Sequence, residues 1–250
     1  PALRGRVPLG LLSALIACSD YGVKQEQAPA AVDPGVAVED WALAGDASWH
    51  GRVLTLTPDL PGRTGGALST RATLPRTGWR VELDVRVGAY PDGIAIVWVD
   101  QDRVDLSDWL RGPGGYLGLR NDEFQGVPGW AVELDLYANS PDEALGDPDG
   151  PHVALVEDGQ QQVPVAVAPL VALEADTWTR VSIRCPDVGL DVAVGGITVL
   201  RVEDWLSRGE NGFLALTAAT GQFSTTHEAR SVQLWGGDFE ISGSDSGGHP

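Results

Sequence analysis

"AVELDLYANS", residues 131–140, alternates apolar and polar side chains, and that alternation decides how the chain is read. Successive side chains of a strand point to opposite faces, so Val132, Leu134 and Leu136 fall on one side and Glu133, Asp135 and Tyr137 on the other. The first face is expected to be core. The second sets two carboxylates side by side, and these repel each other unless a proton or a cation intervenes.

Neighbouring segments carry the same period. In "RVELDVRV" (80–87), Val81, Leu83, Val85 and Val87 are expected in the core while Arg80, Glu82, Asp84 and Arg86 face water. "GIAIVWV" (93–99) is apolar on both faces, which suits a central strand covered on each side. "GLDVAVGGITVLRV" (189–202) reads as two strands around a Gly195-Gly196 turn, and "SVQLWGGDFEI" (231–241) as a closing strand broken by a glycine bulge or bend. On the order of a dozen such segments recur at sandwich-like spacing. The one helical piece expected is short, around "DLSDWL" (105–110). Trp98, Trp130 and Trp178 read as core rather than ligand platforms. The expected fold is all-β, a sandwich of antiparallel sheets.

The chain has 250 residues, enough for one substantial domain. Acidic residues outnumber basic ones 35 to 17, which argues against a nucleic-acid partner, because neutralising phosphates needs a basic surface. Residues 1–18 place Arg4 and Arg6 before an apolar run that ends at "LIAC". That run is too short for a permanent membrane span and reads as a secretory signal. It resembles a bacterial lipoprotein signal, with Cys18 as the lipidated residue; an ordinary signal peptide or a buried segment is the alternative. Any membrane contact is then through the lipid on Cys18, and the expected location is secreted and anchored to the bacterial envelope, at the outer membrane or cell surface. Residues 19–36 read as a flexible tether, 37–241 as the domain and 242–250 as a flexible tail. Cys185 shares a strand face with Val181 and Ile183 and reads as a buried structural thiol.

After the opening strand come Asn139 and the loop "SPDEALGDPDGPH" (140–152), which adds Asp147 and His152. Hard oxygens suit calcium, and an imidazole with shared carboxylates suits a transition ion such as manganese. The ordered set Glu133, Asp135, Tyr137, Asn139, Asp147 and His152 resembles the metal-binding segment of legume lectins and the wider L-type lectin family. That resemblance implies a concanavalin A-like jelly roll. It also implies roles: Glu133 on the transition metal, Asp135 and Asp147 on both ions, Tyr137 (by its carbonyl) and Asn139 on calcium, and His152 completing the manganese site.

Three further segments agree in order. "YPDGIAIVWV" (90–99) resembles the strand that opens with the sugar-binding aspartate, here Asp92. "GPGGYLGL" (112–119) resembles the loop whose glycine, here Gly115, donates a backbone N–H to the sugar. "GFLALTAATGQFSTTHEARSVQLW" (212–235) resembles the segment that ends in the loop tuning sugar choice, here Gly221, Gln222 and Phe223. Tyr137 and Asn139 would also face the sugar, with an aromatic face available to stack on a pyranose. The implied function is metal-dependent binding of glycans or glycoproteins.

Two other classes fit a sandwich. Related glycosidases use a strand pattern Glu-x-Asp-x-x-Glu, in which acid and nucleophile flank the scissile bond. Glu133 and Asp135 fill the first two places, but the third falls on Ala138, so no enzyme is expected. A structural or adhesive sandwich without sugar binding is the second alternative, and it has no need of so many gathered carboxylates.

Overall fold

The computed structural model describes residues 40–236, apart from 90, 91, 122, 124, 138–147 and 149 and the side chains of 71 and 72. The proposed signal, Cys18, the tether, the tail, Asn139 and Asp147 lie outside the described residues. The first sheet places β1 (Trp41–Gly45), β4 (Thr64–Pro75), β13 (Asn211–Ala219), β6 (Gly93–Asp100), β7 (Gly129–Asp135), β8 (His152–Glu157) and β9 (Ala166–Pro169) side by side in that order. The second runs β12 (Ile197–Val202), β11 (Leu190–Val194), β10 (Thr179–Cys185), β5 (Trp79–Val87), β14 (His227–Trp235), β3 (Val53–Thr57) and β2 (Ser48–His50). Neighbouring strands in both sheets are antiparallel. The architecture is the expected all-β jelly-roll sandwich.

The core explains which strand patterns are half-apolar and which are wholly so. Val81, Leu83, Val85 and Val87 of β5 point between the sheets, whereas Arg80, Glu82, Asp84 and Arg86 face outward, as the period-two reading requires. β6 lies at the centre of the first sheet and is buried along its whole length. Ile94, Ile96 and Trp98 enter the core between the sheets, while Ala95, Val97 and Val99 enter a second core. That second core forms where Trp109, Leu117, Leu119 and Val127 cover the outer face of the first sheet. Burial on both faces removes the need for any polar position, so the strand shows no alternation.

Trp130 on β7 joins the layers: it stacks on Trp79 at 5.7 Å between ring centroids and on Trp98 at 6.4 Å, and meets Trp205 edge-on at 5.2 Å. Cys185 is buried beside Val181 and Ile183, its thiol 3.3 Å from the Arg76 carbonyl. Burial pushes that thiol up to about 12, so it stays protonated and inert.

Two expectations need correction. Residues 105–110 form turns, not a helix: Asp105 Oδ1 accepts hydrogen bonds from the Ser107 N–H and hydroxyl at 2.9 and 2.7 Å, a side-chain turn that competes with helical pairing. A 3-10 turn lies instead at Gly114–Tyr116. The last strand ends at Trp235 and bends at Gly236, which has φ 80, as expected at the glycines; a further irregularity lies at Ser231, with φ 54, where the register shifts. Trp178 lies outside the core. The guanidiniums of Arg86 and Arg230 sit 4.8 and 4.1 Å from its ring, a use of tryptophan that hydrophobicity alone does not reveal.

His227 at the start of β14 is fully buried, with Nδ1 2.6 Å from the Thr57 hydroxyl. Burial holds its pKa down from 6.5 to about 3. Between those values the unfolded chain takes up a proton that the folded chain refuses, so stability is fully present above pH 6.5 and is lost as pH falls through the window. The loss from this group reaches about 1.4 kcal/mol per pH unit. We therefore expect His227→Gln to flatten the acid limb of thermal stability between pH 6.5 and 4 relative to the parent. Parallel melting-temperature profiles for the two proteins would assign the acid sensitivity elsewhere.

Candidate functional site

β7 brings the carboxylates to the site with one face committed to packing. Val132 and Leu134 are sealed in the core between the sheets, with Leu136 packed against it. Glu133 and Asp135 lie on the opposite face, as the alternation requires, but that face is not open to water: each is only 2% exposed. Ala131, on the same face of the strand, belongs to the second core layer. Buried carboxylates are stable only with compensation by partners or a cation.

The register places the candidate histidine. Asp135 pairs with His152 on β8 and with Gly93 on β6, so Gly93, Asp135 and His152 form one row across three strands. Nδ1 of His152 lies 3.3 Å from the Gly150 carbonyl, which can only accept. A hydrogen bond from Nδ1–H to that carbonyl is the arrangement that leaves Nε2 as the ring's acceptor atom, the one a metal uses. Strand pairing ends at Asp135, where the Tyr137 N–H donates to Asp135 Oδ1 at 2.9 Å and starts the turn. Among the described residues no three His, Cys, Asp or Glu side chains close into a metal cluster. The donors that are described, two buried carboxylates and an imidazole, suit a divalent cation in type.

Asp92 is brought beside the strand by its own backbone, since its carbonyl accepts the Leu136 N–H at 2.9 Å. The next residue must be glycine: a Cβ on Gly93 would lie 2.3 Å from the Leu134 carbonyl oxygen. Gly221 approaches from another loop, close enough that a Cβ there would sit 3.2 Å from Asp92 Oδ2. Gly114 abuts the same glycine, its own Cβ position being 3.7 Å from Gly221 Cα. Gly115 follows in the 3-10 turn, and the Gln161 amide donates to its carbonyl at 2.9 Å. The rings of Tyr137 and Phe223 are 6.2 Å apart at 42°, and Phe223 is 54% exposed. Gln222 is exposed beside it. Asp92, Gly115, Tyr137, Gly221, Gln222 and Phe223, spread over more than half the chain, thus gather at one end of the first sheet, beside Asp135.

No family model matches the chain, and no curated protein does. Solved structures do. The lectin from Bauhinia forficata in complex with GalNAc is 20% identical and matches with a TM-score of 0.62 over 81% of this chain and 94% of that one. The exoplasmic/lumenal domain of VIP36 in its Ca2+/Man-bound form is 20% identical, with a TM-score of 0.59 over 78% of this chain and 82% of that one. Lectin I-B4 from Griffonia simplicifolia, in a metal-free form, is 18% identical, with a TM-score of 0.58 over 79% and 93%. The fold is that of the L-type lectins.

Within this lectin fold, two residues that the sequence does not flag hold the loops in place. The Thr220 hydroxyl donates to the Leu60 carbonyl at 2.7 Å and accepts from the Arg63 N–H at 2.8 Å. The Thr220 N–H reaches the Arg63 carbonyl at 2.8 Å, and the Gly62 N–H reaches the Gly221 carbonyl at 2.9 Å. Thr220 therefore ties the segment carrying Gly221, Gln222 and Phe223 to the turn at 58–63. Gln161 does the same for Gly115. Neither belongs to a local motif, because each acts on a loop at least 40 residues distant in the chain, and no local signal could have found it. Thr220→Val would leave the Leu60 carbonyl and Arg63 N–H without this partner, a loss of about 1–3 kcal/mol. We expect faster amide exchange at 59–63 and 220–223 in Thr220→Val, with near-parental rates in Thr220→Ser. Equal protection in all three proteins would remove the hydroxyl from this role.

Proposed function

We propose that this protein is a member of the L-type lectin family and binds glycans at the end of the first sheet. The observation that carries the reading is the convergence of Asp92, Gly115, Tyr137 and the Gly221–Phe223 loop beside the carboxylates of β7. Asp92 would accept hydrogen bonds from sugar hydroxyls, and the Gly115 N–H would donate one. The glycines keep Cβ atoms out of the space where a ring would lie. Phe223 and Tyr137 would offer an aromatic face to its C–H side. The similar structures support this: VIP36 was solved with Ca2+ and Man, and the Bauhinia lectin with GalNAc.

In the proposed metal site Glu133 and His152 would hold manganese or another transition ion, Tyr137 and Asn139 would hold calcium, and Asp135 and Asp147 would serve both. Bound ions would neutralise the buried carboxylates and hold the loop after Asp135 in one conformation. A rigid site loses less ordering entropy on each encounter, so Asp92 and Asn139 would meet the sugar already placed. Ala138 leaves the glycosidase pattern incomplete, and the reading is of a binding protein, not an enzyme. We further propose secretion and lipid anchoring through Cys18 to the bacterial envelope. Cys18→Ser should move the protein from the membrane fraction to the soluble one, and unchanged fractionation would count against the anchor.

A glycan array with and without chelator tests the binding. Binding is expected only without chelator, with calorimetry showing Ca2+ and Mn2+ uptake by the depleted protein. Asp135→Asn should lose both metal and sugar. Asp92→Asn should keep the metals and weaken sugar more than tenfold, about 1.4 kcal/mol. Folded parent protein that binds no glycan in either state would overturn the lectin reading, and sugar binding indifferent to chelator would overturn the metal-organised one.

A further inference from the structure

The outer face of the second sheet carries an arginine groove that the proposed lectin site does not use. In register across five strands lie Trp235 on β14, Arg80 on β5, Arg184 on β10, Asp191 on β11 and Arg201 on β12. The adjacent row runs Gln233, Glu82, Ser182, Ala193 and Thr198. The third begins Arg230, Asp84, Arg180. Rows on one face are two residues, about 7 Å, apart, and strands are about 4.8 Å apart. The small side chains Ser182, Ala193 and Thr198 in the middle row make the floor, and the arginines on either side make the walls. The groove has a volume of about 400 Å³.

Its charge differs in sign from that of the chain. Arg80, Arg180, Arg184 and Arg201 line it against two acids, Glu82 and Asp191, while the whole chain carries a net charge of −18. The ion pairs do not cancel the positive face, because they are layered. Arg80 pairs with Glu82; Arg180 reaches Glu82 at 3.2 Å and Asp84 at 2.6 Å; Arg201 Nε reaches Asp191 at 2.7 Å. The side chains of Arg80, Arg180 and Arg201 are 44, 43 and 59% exposed, against 19, 16 and 29% for Glu82, Asp84 and Asp191. The carboxylates lie low and hold the guanidiniums up, and Trp235 stacks 4.5 Å from Arg80. An approaching ligand meets rigid guanidinium edges first. Such forks suit sulfate and carboxylate groups, and holding them in place beforehand lowers the entropy lost on binding.

We propose that this groove binds a short acidic oligosaccharide bearing sulfate or uronate groups, at a site separate from the metal-organised one. The four strands β5, β10, β11 and β12 give the groove a length of about 14 Å, room for a short stretch of such a chain rather than a long polymer. The floor presents the hydroxyls of Ser182 and Thr198 beside the methyl of Ala193, and no large apolar side chain lines the groove. That favours a ligand with hydroxyls on every ring over a peptide, which would need pockets for apolar anchors.

The test is titration of the full protein with a size-defined sulfated oligosaccharide and with an oligogalacturonate, in chelator and at low salt. Binding is expected to at least one of the two, and to weaken on raising the salt, because each arginine contact displaces counterions. Working in chelator separates this site from the lectin reading, since it needs no metal. Arg184→Ala/Arg201→Ala should weaken binding at least tenfold with an unchanged melting temperature. Arg184→Lys/Arg201→Lys, which keeps charge but not the planar fork, should weaken it less than the alanine pair and more than parent. Binding to neither ligand, or binding that the alanine pair leaves unchanged, would overturn the proposal. Equal binding of poly-glutamate or of phosphatidylserine vesicles would overturn the assignment to a glycan and identify a peptide or a membrane surface instead.

Discussion

The structure depends on one constraint, the burial of the β6–β7 strand pair on both faces. Ile94, Ile96 and Trp98 of β6 and Trp130, Val132 and Leu134 of β7 seal the space between the sheets. The opposite faces of the same strands lie under the layer built from Trp109, Leu117, Leu119 and Val127. Nothing about a strand pair covered on two sides tolerates a wandering carboxylate, so Glu133 and Asp135 are held at defined depth and direction. Close-packed surroundings of this kind transmit position faithfully from core to surface. The site inherits its rigidity from the most buried part of the molecule.

What is built on that frame is irregular and is placed by hydrogen bonds between distant loops as well as by packing. Asp92 is placed by a backbone bond to Leu136, Gly115 by Gln161, and the Gly221–Phe223 segment by Thr220 and Gly62. Gly93 lets two backbones approach where a Cβ would collide, Gly221 spares Asp92 a tight contact, and Gly114 supplies a positive φ of 68. This division, with ligand groups on loops and their placement fixed by strands, lets one fold carry different ligand choices. The outer face of the second sheet works differently, because there the strands themselves set the spacing of the arginines.

Much of the fold was legible because a strand's period of two survives in the sequence wherever one face is wet. β5, β10 and β11 could be read residue by residue, down to the buried thiol of Cys185. The double burial of β6 was legible for the complementary reason, an apolar run too short for a helix. Legibility failed where a local polar contact outweighs the pattern. Residues 105–110 look helical, but Asp105 captures the Ser107 N–H and hydroxyl. The irregularity at Ser231, where the β14 register shifts between Arg230 and Gln233, has no signal in the sequence. Trp178 reads as core until Arg86 and Arg230 are seen over its ring.

By itself the sequence determined the strand alternation, the pairing of Glu133 with Asp135 on one face, and the residue types offered to cations and sugar. Those properties follow from neighbours along the chain, at spacings of two to a few residues. Only the tertiary structure decided that the carboxylate face is covered, that Asp135 stands between Gly93 and His152, and that Asp92, Gly115 and Gly221 meet. It alone brought Arg80, Arg184 and Arg201 into one row. The physical reason is that such contacts join segments dozens to more than a hundred residues apart. Their geometry is set by strand register and sheet order, which the core fixes through the sum of many contacts and which no local pattern encodes.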